Sequence, residues 1–305
     1  MTDPSAENLP FCLPLPSSTA IEVVGGKGSS LASLSAAGFP VPDGFHVTTG
    51  AYRRFLLVNK IESELIAMAR PELVENAVSF DPAAKRIQAL FDQCSVSEEI
   101  VEAIAGAYRK LSGNYLAVAV RSSATAEDLP NLSFAGQQDT YLNVTGVEAL
   151  IGSVRNCWAS LWTARAMSYR HQMEIGHGRI YMAVVIQRLL RAEVSGVLFT
   201  ANPATGEREE LIVNASYGLG EIVVSGEVTP DAFVLDRASL ERKEAFIGEK
   251  ERMVVANSDQ GTRTIAVEQT RREQESLSNS QLNALASLAL KVEKHFEGLP
   301  QDIEW

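Results

Sequence analysis

A lysine among glycines is the first feature of this sequence that suits a phosphate group. Lys27 lies in Gly25-Gly26-Lys27-Gly28, on a turn that we predict to precede a helix. Glycines let the backbone approach a ligand closely, and a helix start offers N–H groups to an anion. The segment is not a P-loop, because Ile21 and Gly28 stand where that motif needs glycine and Ser or Thr. On this segment alone, a surface turn with a solvated lysine is the simpler explanation.

An arginine provides a second candidate cation. Arg121 follows the apolar run Leu116–Val120, which we predict to be a buried strand. Binding sites of α/β proteins commonly lie at strand ends, and a guanidinium grips phosphate oxygens through two parallel hydrogen bonds. A structural ion pair with Glu127 or Asp128 explains Arg121 equally well.

A loop rich in small and hydroxyl residues could cover a phosphate. It runs from Ser133 to Thr140 with Gly136 at its centre, between two predicted structured segments. Backbone N–H and hydroxyl donors in such a loop suit an anion. A hairpin turn accounts for the same composition.

Polar residues at two further strand ends complete the candidates. Gln187 ends the predicted strand Tyr181–Ile186, where a hinge backbone could read an adenine edge; a polar strand end is the alternative. Asp302 and Glu304 alternate with Ile303, so on a strand they would project from one face. Two carboxylates on one face suit Mg2+, which takes oxygen ligands and commonly bridges phosphates, although two solvated acids fit as well.

The elements that must position these residues differ between the two parts of the chain. Helices and strands mix in the first part, whereas strand-like runs dominate residues 194–267 and a helix starts at Ser278. We predict two lobes, residues 1–190 and 191–305, with a ligand cleft between them. A new strand opens at Ile303 and the sequence stops at Trp305, so we expect the second lobe to be truncated at its last strand.

Composition excludes some classes of function. The net charge of −11 argues against a nucleic-acid-binding surface, which needs clustered Lys and Arg. No stretch approaches the roughly 18–20 consecutive apolar residues that span a bilayer, so we expect no membrane association. Cys12, Cys94 and Cys157 show neither metal-site spacing nor a disulfide framework, and we expect buried apolar roles for them and a cytoplasmic location.

The candidate segments, taken in order, resemble one protein family over nearly the whole chain. The resemblance rests on the segments Val23–Leu31, Gly38–Phe45, Val120–Asp128, Ser133–Thr140, Val185–Gln187, Gly196–Thr200, Gly218–Glu221 and Asp302–Glu304. They resemble the N-terminal module of the family of phosphoenolpyruvate synthase, pyruvate phosphate dikinase and rifampin phosphotransferase.

The resemblance implies an α+β ATP-grasp fold whose two lobes carry mixed and antiparallel sheets flanked by helices, with ATP in the cleft. By resemblance, Lys27 and Arg121 bind the phosphates and act in catalysis. Gly136 and Thr140 belong to the loop over the phosphates, and Gln187 lies near the adenine. Glu304, with Asp302, holds Mg2+.

The family chemistry passes the β-phosphate of ATP to a histidine on a separate swivelling domain, releasing AMP and phosphate, and then to an acceptor such as pyruvate. The Thr-Ser-His context of that histidine is absent from this sequence. We therefore expect the phosphohistidine domain and the acceptor-binding domain to be supplied by a longer chain or a separate subunit. A rifampin phosphotransferase module is the first alternative, and a non-catalytic nucleotide-sensing module is the second.

Overall fold

The computed structural model describes residues 9–75, 77–112, 116–126 and 139–305. They form a mixed α+β structure with antiparallel sheets. The chain divides into two compact units, Met1–Leu189 and Leu190–Trp305. The interpretation of these units as ATP-grasp lobes stays a prediction. In the described part of the chain, no helix is both long and apolar enough to cross a membrane.

The first unit is built on a five-stranded antiparallel sheet. Its elements in chain order are β1 (Cys12–Pro14), α1 (Ile21–Ala36), β2 (Gly44–Val47), α2 (Thr49–Asn59), α3 (Glu62–Met68), β3 (Glu72–Val74), β4 (Ala77–Ser79), α4 (Asp81–Gln93), α5 (Glu98–Ser112), β5 (Val118–Ala124), β6 (Thr140–Val144), α6 (Val147–Ser160), α7 (Ala164–Gln172) and β7 (Met182–Arg188). The strand order is β1-β2-β7-β5-β6, and β3 and β4 form a separate hairpin.

One face of this sheet builds the hydrophobic core. Directly opposed residues of antiparallel strands share a face, and successive residues alternate between faces. The core face is apolar and packs against a cluster of aromatic side chains from the helices. In this cluster, the ring centroids of Phe55 and Trp158 lie 5.0 Å apart. It carries, among others, Val118, Val120, Val184, Ile186, Phe45 and Val47. Trp158 and Trp162 are both buried in this core.

The other face carries polar residues. Register pairs Arg121 with Val185 and with Thr140, and Val185 with His46, so these side chains lie on one face. Gln187, two residues beyond Val185, lies on the same face. We call this the polar face of the first sheet.

Helix α1 packs on the polar face and begins earlier than the sequence suggested. The predicted turn at residues 25–28 is helical except at Gly25, whose φ of 72° and ψ of 175° break the helix. A Cβ at Gly25 would lie 2.1 Å from the carbonyl oxygen of Ser123, so only glycine allows this approach. At Gly28 a Cβ would lie 3.2 Å from His46 Nδ1.

The second unit is a second five-stranded antiparallel sheet with a long helix. Its elements are β8 (Val194–Phe199), β9 (Glu210–Tyr217), α8 (Glu221–Val224), β10 (Asp231–Asp236), β11 (Arg242–Phe246), β12 (Arg252–Ala256), β13 (Thr262–Ala266), α9 (Gln269–Arg272), α10 (Asn279–His295) and β14 (Asp302–Glu304). The order is β11-β10-β9-β8-β14, with β12 and β13 paired separately. Ser278 and Gln281 form the predicted capping box that starts α10.

Helix α10 covers one face of the second sheet. Leu198, Val213 and Phe233 pack with Leu282 and Ala286 in a buried cluster, to which Ile303 and Trp305 contribute from β14. The opposite face therefore receives the residues that alternate with them. It carries Asp302, Glu304, Val197, Phe199, Ile212 and Asn214.

Candidate functional site

Lys27 lies beside the strand that carries Arg121, although the two residues are far apart in sequence. Lys27 Nζ lies 3.4 Å from the carbonyl oxygen of Ser122, the residue after Arg121, and donates a hydrogen bond to it. Both cations are half-buried, which leaves part of each side chain accessible to a ligand. Arg121 lies within β5 rather than at its end, because the strand continues to Ala124.

The start of the main part of α1 is fixed by a distant hydroxyl. Ser123 Oγ accepts the N–H of Gly28 at 2.9 Å and donates to the carbonyl of Val24 at 2.8 Å. It thus satisfies a donor and an acceptor on either side of the break at Gly25, as a local capping residue does. This contact sets the position of Lys27 relative to β5, and sequence reasoning did not assign Ser123 that role.

Strand β6, which follows the predicted loop Ser133–Thr140, begins beside Arg121. Thr140 is the register partner of Arg121 and is exposed. Ser122 donates through its N–H, at 3.2 Å, to the carbonyl of Asp139. Gly136 lies outside the described residues, as do Glu127 and Asp128, the alternative ion-pair partners of Arg121. Their predictions stay open.

Gln187 lies on the same polar face as Arg121. It is the diagonal neighbour of Arg121 across the β5–β7 pair, which corresponds to roughly 7–8 Å between Cα atoms. Its side chain is buried, and Nε2 donates to the carbonyl of Pro42 at 3.2 Å. Gln187 therefore belongs to β7 and is tied to the segment ahead of β2.

His46 is a buried polar residue that the sequence did not single out. Its Nε2 donates to the carbonyl of Leu15 at 2.9 Å, and among the described residues Nδ1 has no hydrogen-bond partner. Burial lowers the pKa of His46, although the bond to Leu15 opposes this shift. A neutral imidazole thus packs beneath Gly28 and adds no charge to the polar face.

Asp302 and Glu304 lie on one face of β14, in the second unit. β14 pairs with β8, placing Asp302 opposite Phe199 and Glu304 opposite Val197. Burial raises the pKa of Asp302, and the charge of Glu304 raises it further. Two carboxylates on one face of a strand provide oxygen ligands of the kind that suit a divalent cation. Within the described ranges, no group of three or more His, Cys, Asp or Glu side chains forms a metal-binding cluster.

The first-unit residues can neutralise and orient an anion. Lys27 from α1 contacts the backbone of β5 next to Arg121, beside a helix start held by Ser123. Charge-assisted hydrogen bonds from such groups are stronger than neutral ones. The second-unit carboxylates provide oxygen ligands of the kind that Mg2+ prefers.

Comparison with known proteins identifies the family. Residues 21–305 match the family model described as pyruvate phosphate dikinase, AMP/ATP-binding domain. The chain is 40% identical to the phosphoenolpyruvate synthase of Pyrococcus furiosus, over 93% of this chain and 40% of that protein. It is 41% identical to a probable phosphoenolpyruvate synthase of Methanocaldococcus jannaschii, over 93% of this chain and 24% of the other.

A relative with another name matches equally well. The chain is 40% identical to the rifampicin phosphotransferase of Bacillus subtilis, over 94% of this chain and 33% of that protein. The chain thus spans two-fifths or less of the length of these relatives. Because the family model covers nearly the whole sequence, this chain belongs to the pyruvate phosphate dikinase AMP/ATP-binding domain family.

Proposed function

We propose that this chain is the ATP-binding module of a dikinase-type phosphotransferase of the phosphoenolpyruvate synthase class. The observation that carries the proposal is the convergence of Lys27 with the Arg121–Ser122 segment, at 3.4 Å. The family's AMP/ATP-binding description and the names of the most similar relatives support it. In this proposal the two units are the lobes of an ATP-grasp fold, and ATP lies in the cleft between them.

Lys27 and Arg121 bind the phosphates of ATP and neutralise charge that develops during transfer. Phosphoryl transfer depends mainly on positioning and electrostatic stabilisation, so fixed cations are the required contribution of the protein. Gly136 and Thr140 belong to the loop that covers the phosphates, and Gln187 lies at the adenine end.

Asp302 and Glu304 are the residues that would hold Mg2+. When bound, the ion neutralises phosphate oxygens and fixes their orientation. Their projection from one face of β14 supports this assignment, because it brings both carboxylates to the same side of the strand. Phosphate oxygens and water complete the shell that Mg2+ needs.

The reaction requires parts beyond these units. The β-phosphate of ATP passes to a histidine on a swivelling domain, with release of AMP and phosphate, and the phosphohistidine then carries the group to pyruvate on an acceptor-binding domain. These domains belong to the same longer chain or to a separate subunit. The large share of each relative that lies outside the match supports this. We expect purified residues 1–305 alone to give no pyruvate-dependent AMP formation.

A rifamycin acceptor is the second candidate. The match to rifampicin phosphotransferase covers as much of this chain as the synthase matches do. All the nucleotide-site residues proposed here serve both reactions, so the acceptor domain distinguishes them.

Calorimetry with Mg-ATP tests the proposal. We expect the wild type to bind and Arg121→Ala to bind at least about tenfold more weakly, because hydrogen bonds to charged groups contribute about 1.5–3 kcal/mol. Arg54→Ala is the matched control, since Arg54 is exposed and paired with Glu99. Equal binding by wild type and Arg121→Ala would remove Arg121 from the site, and no binding by the wild type would overturn the proposal.

A further inference from the structure

Thr200 follows β8 and forms hydrogen bonds to Gln301 before β14, to Arg237 after β10 and to Glu293 on α10. Its N–H donates to the carbonyl of Gln301 at 2.9 Å, and its Oγ1 accepts the N–H of Gln301 at 2.7 Å. Thr200 is fully buried. Gln301 is the residue directly before Asp302, so both bonds act at the start of β14.

Arg237 and Glu293 hold Thr200 from the other side. Arg237 Nη1 donates to the carbonyl of Thr200 at 2.9 Å and to Glu293 Oε2 at 3.2 Å, and Nη2 bonds Glu293 Oε1. The Thr200 hydroxyl also hydrogen-bonds the Glu293 carboxylate. The four residues Thr200, Arg237, Glu293 and Gln301, which we call the Thr200 junction, therefore form a closed set of hydrogen bonds.

The carboxylate of Glu293 is ionised in this junction. Burial raises the pKa of Glu293, but the hydrogen bonds from Arg237 and Thr200 and the charge of Arg237 outweigh it and lower the pKa. The Arg237 guanidinium compensates the buried charge through both carboxylate oxygens. Since α10 carries Glu293, the junction ties β14 to the helix that covers the core.

Strand β14 is held at both of its ends. It contributes three residues and has β8 as its neighbour in the sheet. At its far end, Trp305 and Gly196 exchange backbone hydrogen bonds of 3.0 and 3.1 Å. The Thr200 junction fixes the near end, next to Asp302.

We propose that Thr200, with Arg237 and Glu293, is a positioning residue for divalent-cation binding by Asp302 and Glu304. The inference rests on the proposed function, which makes these two carboxylates the metal ligands. Groups behind the ligands set their orientation, and their loss commonly weakens metal binding by about 10–100-fold. Thr200 is fully buried and acts through the backbone of Gln301.

Titration with Mn2+, followed by its electron paramagnetic resonance signal in the presence of ATP, tests the inference. We expect Thr200→Val, which keeps the shape but removes both hydroxyl hydrogen bonds, to bind Mn2+ about tenfold more weakly. Its affinity for ATP in EDTA should stay within about twofold of wild type, since the metal-independent contacts are untouched. Thr200→Ser retains the hydroxyl and should restore Mn2+ binding.

A second variant and a local measurement separate positioning from loss of fold. Arg237→Lys keeps the charge but loses the paired contacts to Glu293, and we expect weaker Mn2+ binding with an unchanged circular dichroism spectrum. Hydrogen exchange of the amides of residues 301–304 should rise in both variants. Wild-type Mn2+ affinity and exchange in Thr200→Val or in Arg237→Lys would overturn the inference.

A Glu304→Gln variant separates a failure of the positioning role of Thr200 from a failure of the proposed metal site. If Glu304→Gln weakens Mn2+ binding and Thr200→Val does not, the positioning role is wrong and the metal site stands. If Glu304→Gln leaves Mn2+ binding unchanged, the metal site is wrong and the inference falls with it.

Discussion

Lys27 Nζ lies 3.4 Å from the carbonyl oxygen of Ser122, although the two residues are 95 positions apart in the sequence. The contact places an ammonium group beside the strand position next to Arg121. A positive charge on a helix and another on a strand thereby belong to neighbouring parts of the first unit.

We predict that Lys27→Met weakens ATP binding about tenfold or more, because the lost charged hydrogen bond contributes about 1.5–3 kcal/mol. Adenosine, which has no phosphate, should bind the variant and the wild type equally. Calorimetry with both ligands measures the difference. Lys60→Met is the control, since Lys60 is an exposed residue at the end of α2. Equal losses for ATP and adenosine would contradict a phosphate contact at Lys27.

Replacement of Gly25 should destabilise the first unit more than replacement of another glycine with positive φ. Gly25→Ala brings a Cβ to 2.1 Å from Ser123 O, whereas a Cβ at Gly38, with φ of +80°, meets nothing within 4 Å. We expect Gly38→Ala to lower the free energy of unfolding by about 1 kcal/mol through backbone strain alone. Gly25→Ala should lower it by about 3 kcal/mol or more. Urea unfolding of both variants checks this, and equal losses would exclude the close approach.

A buried ion pair in the second unit should be costly to break. Lys250 Nζ bonds Asp231 Oδ1, and both side chains are fully buried. Asp231 also accepts from the N–H of Gly248 at 3.0 Å and from Ser276. Lys250→Met leaves this carboxylate without its cation and should lower the free energy of unfolding by about 3–5 kcal/mol.

The control for that prediction is the exposed pair of Arg54 with Glu99. Arg54→Met should cost less than about 1 kcal/mol, because water screens exposed pairs. Chemical unfolding of both variants gives the comparison. A Lys250→Met protein as stable as Arg54→Met would show that the buried pair contributes no more than a surface contact.

Stability should fall as the pH decreases from 6.5 towards 4, in part because of His177. Burial, the charge of Arg170 and the charge of His171 lower the pKa of His177 from 6.5 to about 4. Its Nδ1 accepts a hydrogen bond from Arg170 Nε at 3.1 Å, which requires the neutral ring. The unfolded state therefore binds a proton in this pH window and the folded state does not, so stability present above pH 6.5 is lost as the pH falls.

His177→Gln should reduce this pH dependence, since glutamine can accept the same hydrogen bond and has no charge to gain. Thermal unfolding between pH 4 and 7 gives the measurement. His295→Gln is the control, because His295 is exposed on the last turn of α10. If His177→Gln and wild type lose stability in parallel over this range, His177 does not contribute.

Sequence patterns predicted most strands of the second unit and the helix α10, because local features of the sequence mark these elements. Runs of apolar residues marked β8, β9 and β10, and the Ser278–Gln281 spacing marked the helix start. The hairpin β3–β4 was not predicted, because its Leu73 and Val78 are exposed and form no amphipathic pattern. Strand β1 was also missed, since three residues paired with β2 carry no periodicity.

Contacts over long sequence distances account for the errors at the site. The glycines before Lys27 indicated a turn, but the hydroxyl of Ser123 supplies the hydrogen bonds that let the helix begin there. Thr48 occupies the N-cap position of α2, yet its hydroxyl donates to the carbonyl of Pro10 and makes no capping hydrogen bond. No local pattern specifies such partners. The proposed roles of the site residues remain predictions that binding measurements must test.

The alternation along β5 sets a limit on how this strand can change. Val120 lies in the core and Arg121 on the polar face, so adjacent positions have opposite environments. Deleting one residue from the strand would move the residues on one side of the deletion to the opposite face, which would direct either Arg121 towards the core or a valine towards the polar face. Substitutions leave the alternation of β5 intact, whereas single-residue insertions and deletions disrupt it.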